Sequence, residues 1–175
     1  MSDSAPSAIQ PSFALRPAQP QDVPTLFGLI QALAEYERLT EQVTGSPTLL
    51  HEHLFGDRPC IEAVLAESTQ AESAGQAIGF ALFFTNYSTF LTKPGLYLED
   101  LFVKPEYRSQ GVGKALLAHL AQLAIARDCG RLEWSVLDWN EPAIGFYQRM
   151  GATILPDWRV CRVTGAAIAT LAAQH

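Results

Sequence analysis

The sequence predicts a mixed α/β (α+β) protein in which short apolar strands alternate with amphipathic helices. Hydrophobic residues make up 48% of its 175 residues and charged residues 17%, a composition typical of a folded globular domain. Apolar side chains recur every three or four residues in some segments and form short runs in others, and no segment repeats. We therefore expect a flexible tail over residues 1–11 and a single domain over residues 12–175.

The first elements follow from local start and stop signals. Residues 13–16 form a predicted strand that the following proline ends. Asp22 is expected to cap a helix whose apolar stripe continues to about residue 38. Ser46, followed at once by a proline, predicts a second short helix over residues 47–55.

Three apolar strands are predicted in the middle of the chain. Residues 61–66 and 77–84 flank a loop rich in Ser, Gly and Gln, which suits two neighbouring antiparallel strands. A connection containing proline and glycine then leads to a strand over residues 96–103. This strand carries two adjacent carboxylates, Glu99 and Asp100.

The remaining chain alternates helices and strands again. A loop over residues 105–111 precedes a helix whose leucine stripe stops before Gly130. Asn140 opens another helix, and Gly151 is placed to end it. The other predicted elements are a strand over residues 132–136, strands around Ile154 and over residues 160–163, and an Ala-rich helix at the end.

Charge and cysteine usage exclude several classes of protein. The formal net charge is −6, which argues against nucleic acid as a partner and favours cationic small molecules. The chain shows neither a basic leader with an apolar run nor a stretch long enough to span a membrane. Three cysteines without CxxC spacing indicate neither a disulfide framework nor a zinc site, so we expect reduced thiols, a cytoplasmic protein and no metal.

The loop before the third helix is the most informative segment. Gly111 and Gly113 allow backbone N–H groups to approach an oxyanion at the start of a helix. Three cations and one carboxylate between Lys104 and Lys114 give this segment a local charge of +2 within an acidic chain. The spacing fits neither a Walker A loop nor a dinucleotide fingerprint, because Leu116 stands where the latter needs its third glycine. The loop therefore predicts a different phosphate-bearing ligand.

The segment over residues 108–115 resembles the acetyl-CoA pyrophosphate loop of the GNAT acetyltransferases. Further segments resemble, in order, the diamine and polyamine branch of that family. They cover residues 33–37, 41–43, 97–100, 139–142, 146–147 and 151–152. The resemblance implies a mixed, mostly antiparallel sheet that splays near its centre and holds pantetheine in the gap.

The resemblance also implies roles for individual residues. Tyr147 would protonate the departing CoA thiolate, and Glu99 would accept the amine proton through water. Glu37, Asp100 and Trp158 would line the amine site with Glu99. The implied cofactor contacts are Leu101, Phe102, Val103, Arg108, Ser109, Gln110, Gly111, Val112, Gly113, Lys114, Asn140 and Tyr147.

This chemistry suits the residue types. An alkyl ammonium has a pKa of ~10.4, so its deprotonation at pH 7 costs roughly 4–5 kcal/mol and needs a base. We expect Glu99 to lie at the end of a buried strand, where it either acts as that base through one or two waters or attracts the cation. A tyrosine hydroxyl of pKa ~10 can protonate a thiolate, and backbone N–H groups of the splayed strand can stabilise the oxyanion. Direct transfer of this kind needs neither a metal nor an acyl-enzyme.

Two positions depart from the pattern of the polyamine branch. Ser88 stands where polyamine acetyltransferases carry a carboxylate for a distant ammonium, which leaves shorter amines and lysine-like amines as substrates. Ser109 replaces a frequent glycine.

We expect an acetyl-CoA-dependent N-acetyltransferase acting on a small primary amine. Transfer to a protein or peptide amine is one alternative, and a non-catalytic acyl-CoA-binding sensor is another. The resemblance further implies a homodimer that pairs through residues 157–164.

Overall fold

A computed structural model describes residues 12–174 of the chain. The tail predicted over residues 1–11 lies outside the described residues. Within them the chain divides into two compact units, with the boundary after Ser135. The predicted mixed α/β class is confirmed.

The first unit contains a five-stranded sheet and three helices. Its strands are β1 (Phe13–Pro17), β2 (Glu62–Ser68), β3 (Ala77–Ser88), β4 (Lys93–Val103) and β5 (Leu132–Trp134). Its helices are α1 (Val23–Tyr36), α2 (Pro47–Phe55) and α3 (Val112–Ala126). The strands lie side by side in chain order, and every neighbouring pair is antiparallel except β4 and β5. These two are parallel because α3 connects them as a crossover.

Helices cover both faces of the sheet. One apolar cluster joins α1 and α2 to the sheet and includes Leu26, Leu29, Leu54, Leu65, Phe80, Leu82 and Phe102. The buried side chains of α3 lie outside that cluster, yet α3 contacts all five strands. Because side chains alternate along a strand, α3 must cover the opposite face.

The start of α1 differs from the prediction. The Asp22 side chain makes no capping bond to α1. Its carboxylate instead accepts hydrogen bonds from the Arg16 guanidinium at 2.6 and 2.9 Å and from the Gln19 backbone N–H at 2.7 Å. The Arg16 guanidinium lowers the pKa of Asp22. At the other end α1 stops at Tyr36, two residues before the predicted limit, because Arg38 takes a left-handed φ of 61°.

The hairpin of β3 and β4 is longer than the sequence predicts. Asn86 and Gly95, assigned to a connection, face each other as paired strand residues. Asn86 Nδ2 donates to Glu133 Oε2 at 3.0 Å, and Arg131 Nε lies 2.8 Å from the same oxygen. A side chain at Gly95 would collide with Asn86 and Arg131. Glycine at this position therefore leaves room for a polar cluster that links β3 to β5 across β4.

The second unit contains two helices, α4 (Glu141–Arg149) and α5 (Ala166–Ala172). Two sequence predictions are confirmed at α4. The Asn140 side chain caps it by accepting from the Ala143 N–H at 3.3 Å, and Gly151 follows it with a φ of 92°.

The strands predicted around Ile154 and over residues 160–163 are wrong for the described chain. Residues 152–164 form neither helix nor strand. The large apolar residues of this segment are between 42% and 76% exposed, and they are Ile154, Leu155, Trp158, Val160 and Val163. Alternating apolar residues are compatible with a strand, but a strand also needs a neighbour that satisfies its backbone hydrogen bonds.

Candidate active site

β4 changes its pairing at Glu99. Towards β5 it pairs only through Leu96, Tyr97 and Leu98, so β5 provides no partner for residues 99–103. Towards β3 the register shifts by one residue, because Leu98 pairs with Phe83 while Asp100 pairs with Leu82. Glu99 is therefore the extra residue of a β-bulge.

The bulge moves Asp100 to the other face of the sheet. Paired residues on neighbouring strands point to the same side. Leu98 pairs with Phe83, whose ring lies 5.9 Å from the Arg127 guanidinium at the end of α3. Asp100 pairs with Leu82, which belongs to the cluster under α1 and α2. In a regular strand Asp100 would share the face of Leu98 and point towards α3.

Three carboxylates influence one another electrostatically around Asp100. Burial, together with the nearby charges of Glu99 and Glu37, raises the pKa of Asp100 from its ordinary 3.8 to about 6. Glu37 directly follows α1, and burial raises the pKa of its carboxyl as well. Because the fields of Glu99 and Glu37 act on Asp100, the three groups form one acidic cluster, which we call the acidic pocket. Such a cluster attracts an ammonium group.

The expectation that Glu99 lies at the end of a buried strand is wrong. Glu99 sits near the middle of β4 and is exposed, while Asp100 is half-buried and has the raised pKa. The sequence signal was the pair of adjacent carboxylates, but which of them is buried depends on the bulge. Nothing in the sequence marks the bulge, because it arises from the pairing with β3.

The loop between β4 and α3 has the backbone geometry of an anion site. Ser109 and Gly111 both take left-handed φ values, 61° and 87°. Gly111 is the N-cap of α3, and it offers no side chain to the first N–H groups of the helix. Val112 is buried and anchors the helix, whereas the loop from Arg108 to Gly111 is exposed. These N–H groups suit a pyrophosphate.

Arg108 holds the loop to the rest of the first unit. Its Nε donates to the Val103 carbonyl at 3.0 Å. Its guanidinium carbon lies 4.4 Å from the centre of the Tyr36 ring and 5.8 Å from that of Phe102. The sequence predicts Arg108 as a charge for the pyrophosphate, and the contact with Tyr36 was not predicted.

The other side chains of the loop make fewer contacts. Gln110 Nε2 donates to the Glu106 carbonyl at 3.2 Å within the loop. Lys114 is exposed in the first turn of α3, next to the half-buried Gly113. Along β4, Phe102 and Val103 are buried and Leu101 is half-buried.

The remaining predicted site residues belong to the second unit. Asn140 is buried, and its side-chain oxygen serves as the N-cap of α4. Tyr147 is 8% exposed on α4, with its ring centre 5.2 Å from that of Phe146. Trp158 is 76% exposed. Their roles towards a ligand stay predictions.

Between residues 12 and 174, no three His, Cys, Asp or Glu side chains come together in a group able to hold a metal ion. In the same part of the chain, no helix combines the length and the hydropathy needed to cross a membrane.

Comparison with known proteins gives a consistent family. Residues 28–152 match the model of the acetyltransferase (GNAT) family. An L-ornithine N5-acetyltransferase of Arabidopsis thaliana is 34% identical over 95% of this chain and 90% of its own length. A thialysine N-epsilon-acetyltransferase of Bos taurus is 36% identical over 91% of this chain and 97% of its own. An integron cassette protein from the mobile metagenome of V. cholerae has the same fold, with a TM-score of 0.76 at 24% identity over 93% of this chain and 99% of that one.

Proposed function

Since the chain belongs to the GNAT family of acetyltransferases, we propose that it moves an acetyl group directly from acetyl-CoA to the primary amine of a small molecule. The observation that carries this proposal is the acidic pocket of Glu37, Glu99 and Asp100 beside a strand edge that leads into an anion-binding loop. One end of this arrangement suits a cation and the other a pyrophosphate. We propose one catalytic domain over residues 12–175, since the family match extends into both compact units.

The residues of the first unit fit acetyl-CoA along its length. The backbone from Leu101 to Val103, which lacks a β5 partner, offers hydrogen-bonding groups to the amides of pantetheine. The loop from Arg108 to Lys114 offers its N–H groups and positive charge to the pyrophosphate. From the second unit we propose Asn140 as a further cofactor contact, by analogy with the family motif.

The reaction that we propose needs one base and one acid. The amine nitrogen attacks the thioester carbonyl, a C–N bond forms and the C–S bond breaks. Glu99 accepts the ammonium proton through water, and Tyr147 donates its proton to the departing CoA thiolate. N–H groups of residues 101–103 stabilise the oxyanion in between. Asp100 is a second candidate for the base, because burial and neighbouring charges raise its pKa to about 6.

The substrate that we propose is a short diamine or a lysine-like amine. The names of two relatives, an L-ornithine N5-acetyltransferase and a thialysine N-epsilon-acetyltransferase, contain amines of this kind. Ser88 supports a short substrate. It is buried at the end of β3, and its hydroxyl accepts from the Leu91 N–H at 3.2 Å in the hairpin turn. The position therefore stabilises the turn and supplies no carboxylate to a distant ammonium.

We also propose a cytoplasmic homodimer. The exposed apolar residues between Ile154 and Val163 support pairing through this segment, because burial of such side chains favours association. All three cysteines are free, which suits a reducing compartment. Light scattering should give twice the chain mass of 19.1 kDa, and Trp158→Glu should shift it towards the monomer. A monomer for the unchanged protein would contradict the dimer.

Release of free CoA thiol from acetyl-CoA tests the function. The panel contains ornithine, thialysine, lysine, diamines, spermidine, aminoglycosides and peptides. We expect selective turnover of a short amine, and a loss of about 10²-fold or more in kcat for Tyr147→Phe. Preference for peptides would indicate a protein acetyltransferase, and binding of acetyl-CoA without any turnover would indicate a sensor.

A further inference from the structure

The two halves of the candidate site are joined by one stacked pair of side chains. Arg108 belongs to the loop proposed for the pyrophosphate, and Tyr36 is the last residue of α1. The guanidinium carbon of Arg108 lies 4.4 Å from the centre of the Tyr36 ring, the distance of a cation–π contact. The residue after Tyr36 is Glu37, a member of the acidic pocket.

Backbone hydrogen bonds at the end of α1 hold Glu37 next to Tyr36. The Glu37 N–H donates to the Leu33 carbonyl at 2.9 Å, and the Leu39 N–H donates to the Ala34 carbonyl at 2.8 Å. Arg38 between them takes the left-handed φ of 61° that closes the helix end. These bonds fix the backbone on both sides of Glu37 relative to the tyrosine that precedes it.

We propose that Tyr36 is a positioning residue that makes the binding of acetyl-CoA and of the amine favour each other. This inference rests on the proposed function. An anion in the loop holds Arg108, the stacked guanidinium holds the Tyr36 ring, and the ring holds the end of α1 with Glu37. The ligand that binds second then finds these groups already ordered, which gives positive coupling.

The test measures this coupling directly by calorimetry. CoA replaces acetyl-CoA so that no reaction occurs, and the amine is thialysine or whichever amine of the panel turns over fastest. For the unchanged protein we expect saturating CoA to lower the amine Kd by about 5- to 10-fold. Tyr36→Leu should reduce that factor to below about 2, while each ligand alone binds within about threefold of its original Kd. Tyr36→Phe keeps the ring and should keep the coupling.

Two further variants separate positioning from a general structural role. Ile125→Ala removes an apolar side chain that is 81% exposed on α3, and it should leave the coupling factor unchanged. Arg108→Gln removes the other partner of the stack. If the stack carries the coupling, the double variant Arg108→Gln, Tyr36→Leu shows no further loss beyond Arg108→Gln alone.

The results distinguish failure of this inference from failure of the proposed function. Coupling that survives in Tyr36→Leu would overturn the inference, as would an equal loss of amine affinity with and without CoA. A coupling factor of 1 in an unchanged protein that acetylates the amine would also overturn it and leave the function standing. An unchanged protein that binds acetyl-CoA and acetylates nothing in the panel would instead refute the function.

Discussion

The two halves of β4, on either side of Glu99, are bordered differently. Residues 94–98 hydrogen-bond on both sides, and Leu96 and Leu98 are almost completely buried. Residues 100–103 pair with β3 alone, and Glu99 is the unpaired residue of the bulge. This half carries two of the three carboxylates of the acidic pocket, Glu99 and Asp100. The difference shows that the candidate site lies where the sheet stops satisfying its own backbone, since groups not used by the sheet remain available to a ligand.

The largest effect is expected from removing the charge of Asp100 in the second half. Asp100→Asn should lower kcat/KM for the amine by about 10²-fold at pH 8, because the ammonium loses a half-buried anion and a proton acceptor. In the unchanged enzyme kcat/KM should fall as the pH drops below about 6, where Asp100 becomes protonated. Rate profiles from pH 5 to 9 measure both effects.

Glu133→Gln is the matched control, because Glu133 lies on β5, the strand that pairs with the first half of β4. It removes a carboxylate that contacts Asn86 and Arg131, and its kcat/KM should stay within about threefold of the original. If kcat/KM of Asp100→Asn still fell below about pH 6, another group would be responsible for that fall. The contrast between the two halves of β4 would then be weaker.

Asp100→Asn should lower activity but raise the stability of the fold. The pKa of Asp100 is higher in the folded chain, about 6, than its ordinary 3.8, so the folded state binds the proton more tightly. The free energy of unfolding of the unchanged protein therefore falls as the pH rises from about 4 to about 6. Asp100→Asn removes this penalty and should stabilise the protein by about 2–3 kcal/mol at pH 7.5.

Urea unfolding at several pH values checks this expectation. The advantage of Asp100→Asn should shrink as the pH approaches 4, where Asp100 in the unchanged protein is protonated. An Asn variant that is less stable than the original at pH 7.5 would show that the buried carboxylate makes compensating contacts. That result would remove stability as a difference between the two halves.

A substitution in the first half should affect stability alone. Gly95→Ala places a methyl group against the side chains of Asn86 and Arg131, so we expect a loss of about 2 kcal/mol in unfolding free energy. Gly28→Ala in α1 is the control, because nothing lies within 4 Å of its added carbon, and it should gain up to about 1 kcal/mol. A change in kcat/KM of Gly95→Ala beyond threefold would show that the first half also shapes the site.

The smallest effect is expected at the loop after β4. Gly111→Ala strains a φ of 87° and should cost about 1 kcal/mol of stability while raising KM for acetyl-CoA by about fivefold. Gly75→Ala, at a φ of 79° in the loop between β2 and β3, should show the same strain with KM unchanged. Equal KM values for the two variants would contradict the role of Gly111 in holding the pyrophosphate.

Features decided by one or two local bonds could be predicted from the sequence. The Ser46 hydroxyl caps α2 by accepting from the Leu49 N–H at 3.3 Å, and Asn140 does the same for α4. Gly151 ends α4 for an equally local reason, its positive φ. The loop that begins α3 was found in the same way, since its glycines and charges are contiguous.

Features that depend on distant partners could not be predicted. The sequence predicts Asp22 as a helix cap, but its carboxylate accepts a hydrogen bond from Arg16 instead. The contact of Arg108 with Tyr36 joins residues 72 positions apart in the printed sequence, and no periodic pattern indicates it. The acidic pocket combines both kinds of feature. The sequence predicts its three carboxylates as site residues, but it does not indicate that Asp100, and not Glu99, is the less exposed of the two on β4.

The bulge at Glu99 makes the chemistry of the acidic pocket depend on the number of residues in β4. The face of the sheet to which Asp100 points depends on whether an odd or an even number of residues separates it from Leu98, the last residue of β4 that pairs with β5. Insertion or deletion of two residues in this stretch would preserve that parity, and a change of one would reverse it. Relatives that conserve both carboxylates but differ in length by one residue here would therefore carry the same letters with the acidic group facing α3.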